Sequence, residues 1–477
     1  MAPPDDITPL VEEEEAGGKS EGDSPVGPTA QRWWVLLAFC SLTALNSMVW
    51  ITFAPIRAET MDYYDVSGNV VDWLSMIFMA LYPLVFAPMA WYLETGATAL
   101  QRGLRVSAAM NVVGCVVRWW STTSGSFTVL MIGQCITSAA QGFTLGAPPQ
   151  ISGVWFPDPE WGFATGIGVL ANQAGPAVAY YLSPSIVSSS GAGMGTLLFV
   201  ELMAMVCSCA LIFLLIPEEP ARPPSAIAAD RLQGEQRSLW EFCVEVWELH
   251  QDRGALLLAT GYGLAVGVLY GWETLMDVLL PHQSTSEVST IGTAALLFGL
   301  PGAVIGGWVL DSLKNYKGVN VSLTTVSTAL LASVTAAATL LGSGESAFWA
   351  LMVLSPALGF GLGAILSTGF EWGVEITYPM SESTVAGMLN SWGQIWGIVL
   401  IYGIEGVVET FSALLGNILL TVALALSTVA YLLVADVQKR QDAAAAAATA
   451  TASAVDGSLP SAAVVVSDPD AATPGLS

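Results

Sequence analysis

Twelve long apolar runs recur along this chain of 477 residues, and no other feature constrains its fold as strongly. A bilayer core of about 30 Å needs roughly 20 apolar residues per helix. The first six windows lie near 33–57, 70–93, 104–121, 126–148, 162–186 and 194–216. The second six lie near 254–278, 287–311, 320–342, 346–371, 383–404 and 410–435. An all-α membrane protein of twelve transmembrane helices in two sets of six is therefore expected. Only 11% of residues are charged, against about 25% in an ordinary soluble domain, so a soluble fold is excluded.

The stretches between and around the windows set the domain plan. Residues 1–31 form an acidic tail, including Glu12 to Glu15, that is read as disordered, and residues 32–216 hold the first six helices. A polar connection, 217–253, begins with Pro217, Pro220, Pro223 and Pro224. It ends in an amphipathic stretch with Trp240, Phe242, Val244 and Trp247, read as a short helix along the membrane surface. Residues 254–436 hold the second six helices. Residues 437–477, with an Ala-rich run and a Pro/Ser/Asp end, are again read as disordered. The net charge is −25, and acidic residues cluster in the tail and the connection. Nucleic-acid binding would need a basic stripe, which is lacking. Cys40, Cys115, Cys135 and Cys209 sit in apolar runs and are read as buried thiols; no zinc-like spacing occurs, so no metal or cofactor is expected. The polar, acidic stretch before Arg32 and the length of the first run argue for a membrane anchor rather than a cleaved leader.

Orientation follows from Lys and Arg. With the N-terminus inside, every basic residue except Arg57 and Arg118 falls on the cytoplasmic side, which places both termini there. Gly307 to Asp311, followed by Lys314 and Lys317, resembles the G-x-x-x-D…K/R signature after the eighth helix of the major facilitator superfamily. The counterpart in the first half is degenerate, with Glu94 in place of the Asp and with Arg102 and Arg105 displaced. Ordinary positive-inside anchoring is the alternative reading of these charges.

Polar side chains inside a spanning helix are costly and face a cavity or a partner helix. Gln173 and Gln394 each lie about 11 residues into their windows, or roughly 16 Å from the cytoplasmic end. Their helices hold equivalent places in the two sets, which suggests a repeat with one glutamine from each half at the interface. Asn390 shares a face with Gln394, and Trp392 and Trp396 share the opposite one. Interhelical hydrogen bonding is the competing role for the glutamines. A second pair lies at matched depth, roughly 25 Å up: Trp50 in the first helix and Tyr270 in the seventh. Interface-belt placement would explain aromatics there. However, Asn46 lies one turn below Trp50, and Glu273 and Asp277 lie near the Tyr270 face. Carboxylates beside paired aromatics suit an organic cation, because an aromatic face attracts a desolvated ammonium by about 0.5 to 2 kcal/mol per contact. Glu371 and Glu375 form another acidic pair near the inner end of the tenth helix, open to proton coupling or to gate salt bridges with loop Arg or Lys. Arg118 either faces the cavity or snorkels to the outer interface.

Several segments resemble the feline leukaemia virus subgroup C receptor family: Asn46 to Trp50, Asp72 to Met76, Gly133-Gln134, Val154 to Phe156, Asn172 to Gly175, Gly369 to Glu382 and Asn390 to Gly397. The resemblance covers the helices and leaves out the tails. It implies the major facilitator fold of two six-helix halves and transport of choline or ethanolamine, with haem transport also proposed for the family. It further implies an ammonium site formed by Trp50, Tyr270, Gln173 and Gln394. Gly271-Trp272 and Asp277 look more like the renal-carcinoma-disrupted branch of the family, for which vitamin B6 has been suggested, and Glu273 departs from the receptor branch.

The sequence thus points to a secondary transporter of choline, ethanolamine or a related amine in the plasma membrane, with an organelle membrane as the alternative. The expected partners are a small organic cation and the lipid bilayer. Haem or a vitamin-like solute is the alternative cargo. The only histidines, His250 in the connection and His282 beyond the seventh helix, are poorly placed as axial ligands at mid-depth. A receptor or sensor that does not transport remains a further class. No phosphate loop or nucleophile–His–acid pattern points to an enzyme.

Overall fold

The structure is a computed structural model and describes residues 27, 29–157, 160–188, 190–224 and 238–443. Most of both tails and residues 225–237 of the central connection lie outside the described residues. The fifteen described α-helices are α1 (Gln31–Ile51), α2 (Arg57–Tyr64), α3 (Gly68–Glu94), α4 (Ala97–Ser124), α5 (Phe127–Leu145), α6 (Ala147–Trp155), α7 (Trp161–Ile186) and α8 (Met194–Leu215), then α9 (Leu239–Gln251), α10 (Arg253–Leu279), α11 (Thr285–Leu313), α12 (Tyr316–Leu340), α13 (Glu345–Thr377), α14 (Glu382–Thr410) and α15 (Ala413–Leu433). Short turns join most consecutive long helices, so neighbours run antiparallel. The end of the bundle where α1 starts and α15 stops is called the terminal end; the opposite one is the far end.

Among the described residues, nine helical stretches are long and apolar enough to cross a membrane. The long helices α4, α5 and α7 fall short of that apolarity. Their polar residues are spent on neighbouring helices. Ser107 on α4 bonds to Ala140 O at 3.0 Å, Gln134 on α5 to Leu74 O at 2.8 Å and Val49 O at 3.2 Å, and Asn172 on α7 to Thr43 Oγ1 at 3.0 Å.

The first predicted window, 33–57, is not one continuous helix. It breaks after Ile51 into a short 3-10 turn, Ala54–Ile56, at Pro55, where the missing N–H and fixed φ interrupt an α-helix. The short α2 and α6 were also absent from the apolar reading. α6 starts with Pro148 and Pro149 in its first turn, where proline is tolerated. Several starts follow local sequence rules: Ser238/Glu241 and Ser284/Glu287 are complete capping boxes for α9 and α11. Asp252 accepts from Gly254 N and Ala255 N to start α10.

The six long helices of each part pack in the same order. α1 lies against α7 and α8, α4 against α5 and α8, and α3 against α5. Correspondingly, α10 lies against α14 and α15, α12 against α13 and α15, and α11 against α13. The two parts meet where α3 packs on α14 and α7 on α11. One detail repeats in chemistry as well as position. Arg105, about two turns into α4, donates to Ile216 O after α8 at 3.2 Å, and Lys317 at the start of α12 donates to Leu432 O and Val434 O at the end of α15, at 2.9 and 2.8 Å. Basic residues of the two loop signatures thus satisfy carbonyls that a helix end leaves without partners.

The tail expected to be disordered from residue 437 is in part docked. Gln438 donates to Lys314 O at 2.8 Å, and Gln441 N donates to Glu375 Oε1 at 2.9 Å. Of the four cysteines read as buried, only Cys115 is fully buried; Cys40, Cys135 and Cys209 are half-buried, because one side of each outer helix faces the periphery.

Candidate functional site

Trp50 sits one residue before the end of α1. Its indole N–H donates to Ser75 O on α3 at 3.2 Å. That bond turns the ring toward α10, where it meets Tyr270 edge to face, with centroids 5.1 Å apart and planes at 75°. The two aromatics predicted to pair from opposite halves therefore touch. Tyr270 also rests on Gly397 of α14, where a Cβ would lie only 3.2 Å from the ring. Gln394, one turn from Gly397, is buried at 2% exposure. Trp392 and Trp396 of α14 pack against Gly263 and Gly267 of α10.

Gln173 is aimed by its neighbour. Asn172 is tied to α1 through its side chain on Thr43 Oγ1 and its carbonyl on Ser47 Oγ at 2.5 Å. The next side chain, about 100° further round the helix, lines a small cavity with Leu269, Trp272 and Glu273 of α10. Glu273 is 2% exposed. Asp277, one turn beyond it, is half-buried.

Asn46 does not line this region. It is fully buried and donates to Asn111 Oδ1 at 2.8 Å and to Thr137 O at 3.1 Å, which makes it internal glue among α1, α4 and α5. Arg118 neither faces a cavity nor snorkels. It is 1% exposed, pairs with Glu201 of α8 at 3.0 Å and stacks its guanidinium 5.2 Å over the Phe53 ring. Thr52 Oγ1 donates to the same carboxylate at 2.6 Å.

The far end is bridged by groups that residue types alone did not single out. Arg57, at the start of α2, donates to both oxygens of Asp72 on α3 at 3.0 Å, and to Glu405 on α14 at 2.5 Å. One guanidinium thus joins the two parts. Asn69 lies between Glu405 and Glu409, and Ser75 donates to Thr274 on α10 at 3.4 Å. Tyr180 of α7 donates its hydroxyl to Glu273 O, and Ser289 of α11 donates to Tyr180 O. The signal for Arg57 was its place on the wrong side of the basic-residue count; Glu405, just past the window 383–404, carried no such signal.

At the terminal end the parts are joined along α3, α14 and α9. Tyr82 stacks on Phe86 along α3. Phe242 of α9 is buried beside Tyr82, Phe86 and Ala90, and Ser381 donates to Glu94 at 3.3 Å. Glu245 of α9 accepts from Ser381 N at 3.1 Å, and His250 stacks on Trp392, with the indole N–H 3.3 Å from Nε2. Both histidines lie away from mid-depth: His282 is exposed in the turn after α10. Glu371 and Glu375 face a basic residue of the docked tail, Arg440, at 3.4 and 3.7 Å, and Glu382 joins them at 3.5 Å. Partial burial works against the Arg440 charge, but Glu371, Glu382 and Glu375 outweigh it and raise its pKa above the ordinary value. Of the two roles open to this acidic pair, the geometry supplies the salt bridge.

An aromatic pair formed where two helical bodies meet has the chemistry to hold a small cation. No group of three or more His, Cys, Asp or Glu able to hold a metal occurs among the described residues. Comparison with known proteins agrees with the fold. The model of the Major Facilitator Superfamily matches residues 39–401. The MFS-type transporter C09D4.1 of Caenorhabditis elegans is 34% identical over 425 residues, covering 87% of this chain and 70% of that protein. The choline/ethanolamine transporter flvcr2a of Danio rerio is 34% identical over 428 residues, covering 87% of this chain and 88% of that protein. Human choline/ethanolamine transporter FLVCR2 is 31% identical over 421 residues, covering 84% and 77%. Among solved structures, the Escherichia coli fucose:proton symporter FucP superposes with a TM-score of 0.55 at 13% identity, covering 84% of this chain and 99% of that one. A bacterial homologue of the human lysosomal transporter Spinster, in an inward-facing and occupied conformation, gives 0.59 at 14% identity, covering 86% and 97%. With the family model spanning most of the chain and relatives above 30% identity matched over most of their length, the chain belongs to the major facilitator superfamily and, within it, to the FLVCR family.

Proposed function

We propose that this protein is a secondary transporter of choline, ethanolamine or a related small amine, working by alternating access, with Trp50, Tyr270, Gln173 and Gln394 around the ammonium. The observation that carries the reading is the edge-to-face contact of Trp50 and Tyr270 at 5.1 Å across the two helical bodies. Paired aromatics hold an organic cation without the desolvation cost of a buried counter-charge. Relatives named as choline/ethanolamine transporters support the amine.

In this reading all twelve long helices cross the plasma membrane, in two halves, 32–216 and 254–436, joined by the connection 217–253. α4, α5 and α7 cross despite their polarity because their polar groups face other helices. The repeated packing order and the matched Arg105 and Lys317 contacts support equivalent halves. Both termini are cytoplasmic, so the far end is extracellular and closed. Rocking of the halves about the central residues would break the Arg57 contacts and open that side.

Uptake of radiolabelled choline and ethanolamine into proteoliposomes tests the proposal. Loss of one ring removes about 0.5 to 2 kcal/mol, so Trp50→Ala and Tyr270→Ala each lower uptake at subsaturating substrate roughly 2- to 30-fold. Wild-type vesicles that take up neither amine, or full uptake by both variants, would overturn it.

A further inference from the structure

Glu273 carries an acid into a place where the aromatic pair needs none. Its side chain is 2% exposed, and its Oε2 has no hydrogen-bond partner among the described residues. The cations of this region are engaged elsewhere: Arg57 holds Asp72 and Glu405. The preceding Trp272 is 3% exposed and keeps its indole N–H unpartnered as well. Both residues line a cavity that Gln173 also lines. The α11 and α13 residues completing its wall, such as Ala295, Gly299 and Leu362, are apolar. An orphan acceptor and an orphan donor, both deeply buried, therefore share one apolar compartment beside a proposed substrate glutamine.

A buried carboxylate oxygen without a partner is costly, and the remedy is a charge-assisted hydrogen bond from a cation that has N–H to give. A quaternary ammonium has none. The Trp272 N–H can only donate, which suits a hydroxyl oxygen close to that head. Resting on the amine-transport reading above, we infer that Glu273 forms a primary-ammonium subsite, so that this protein selects amino alcohols with N–H donors, of the ethanolamine type, over their N-methylated counterparts.

The test is a methylation series. Uptake of ethanolamine and its mono-, di- and trimethylated forms is measured in proteoliposomes with wild type, Glu273→Ser and Glu273→Gln. For wild type, kcat/KM should fall at each methylation and by tenfold or more from ethanolamine to choline. Both substitutions should flatten the ranking, Glu273→Ser chiefly by losing ethanolamine while keeping choline. Trp50→Ala should lower every member alike. The wild-type ranking itself needs no variant to fold. Transport with a flat wild-type series, or an unchanged ranking in both Glu273 variants, overturns the subsite alone. No uptake of any member overturns the transport reading and the subsite with it.

Discussion

A buried guanidinium shows how much of this protein depends on single partners. Arg118 and Glu201 are each 1% exposed and lie 3.0 Å apart, with Thr52 completing the carboxylate. Removing one member of a buried pair leaves an uncompensated charge, at a cost of about 3–5 kcal/mol, whereas replacing both by apolar residues of similar volume is often neutral. Arg118→Ala should therefore lower the melting temperature of the detergent-purified protein sharply, and Arg118→Met with Glu201→Leu should recover most of the loss. Equal melting temperatures for the single variant and wild type would show the pair to be idle. At this scale the sequence was legible where symmetry helped. Trp50 with Tyr270 stood out because the two sit at matched depth in corresponding helices, and their rings meet. Arg118 did not, because its partner lies 83 positions away and a hydropathy profile registers the charge but not the acid that neutralises it. Asn46 misled for the same reason: spacing placed it beneath Trp50, while its hydrogen-bond partners, Asn111 and Thr137, lie on other helices.

Helices came through the apolar windows with boundaries displaced by only a few residues for most spans, since twenty apolar residues leave few other solutions in a bilayer. What the windows hid was interruption and approach. The break at Pro55 stays apolar throughout, so hydrophobicity runs straight across it although the backbone does not. Close approach is likewise silent in a profile. α11 and α13 touch through small residues, and at Gly302 a Cβ would lie 2.1 Å from Phe360 O, a backbone atom that cannot swing aside. One turn on, Gly307 has nothing within 4 Å. Without a hydrophobic force between helices in lipid, such contacts are what hold them together. Gly302→Ala should thus destabilise by about 1–3 kcal/mol through overpacking. Gly307→Ala should be neutral or stabilise by up to about 1 kcal/mol through helix propensity. Thermal unfolding of the two variants side by side decides the point, because a loss of stability in both would indicate a helix effect rather than a contact.

The two parts of the bundle are held by different chemistry at each end. Near the termini the seam is broad: α9, α3 and α14 share aromatic and hydroxyl contacts, and Arg440 gathers Glu371, Glu375 and Glu382 on the second half. At the far end the contact depends heavily on Arg57, whose side chain is 9% exposed and reaches Asp72 on its own half and Glu405 on the other. Asp72 fixes the guanidinium from two sides, so only the Glu405 arm has to part when the halves separate. Breaking that arm should bias the equilibrium toward a state open at the far end. A hydrogen bond between charged groups contributes about 1.5–3 kcal/mol, so Glu405→Gln should raise the open population roughly 10- to 100-fold where it is a minor state. Thr274, 1% exposed beneath this contact on α10, is a suitable reporter. On the proposed orientation, with the far end outside, a membrane-impermeant thiol reagent added from outside to Thr274→Cys in a variant lacking the six native cysteines should react slowly when Arg57 and Glu405 are intact. Labelling should become at least tenfold faster in Glu405→Gln and in Arg57→Gln. The double variant should be no faster than the singles, since both remove the same arm. Additive acceleration, or no acceleration in either, would mean that the aromatic and Tyr180 contacts close the far end and that Arg57 only orders α2 against α3.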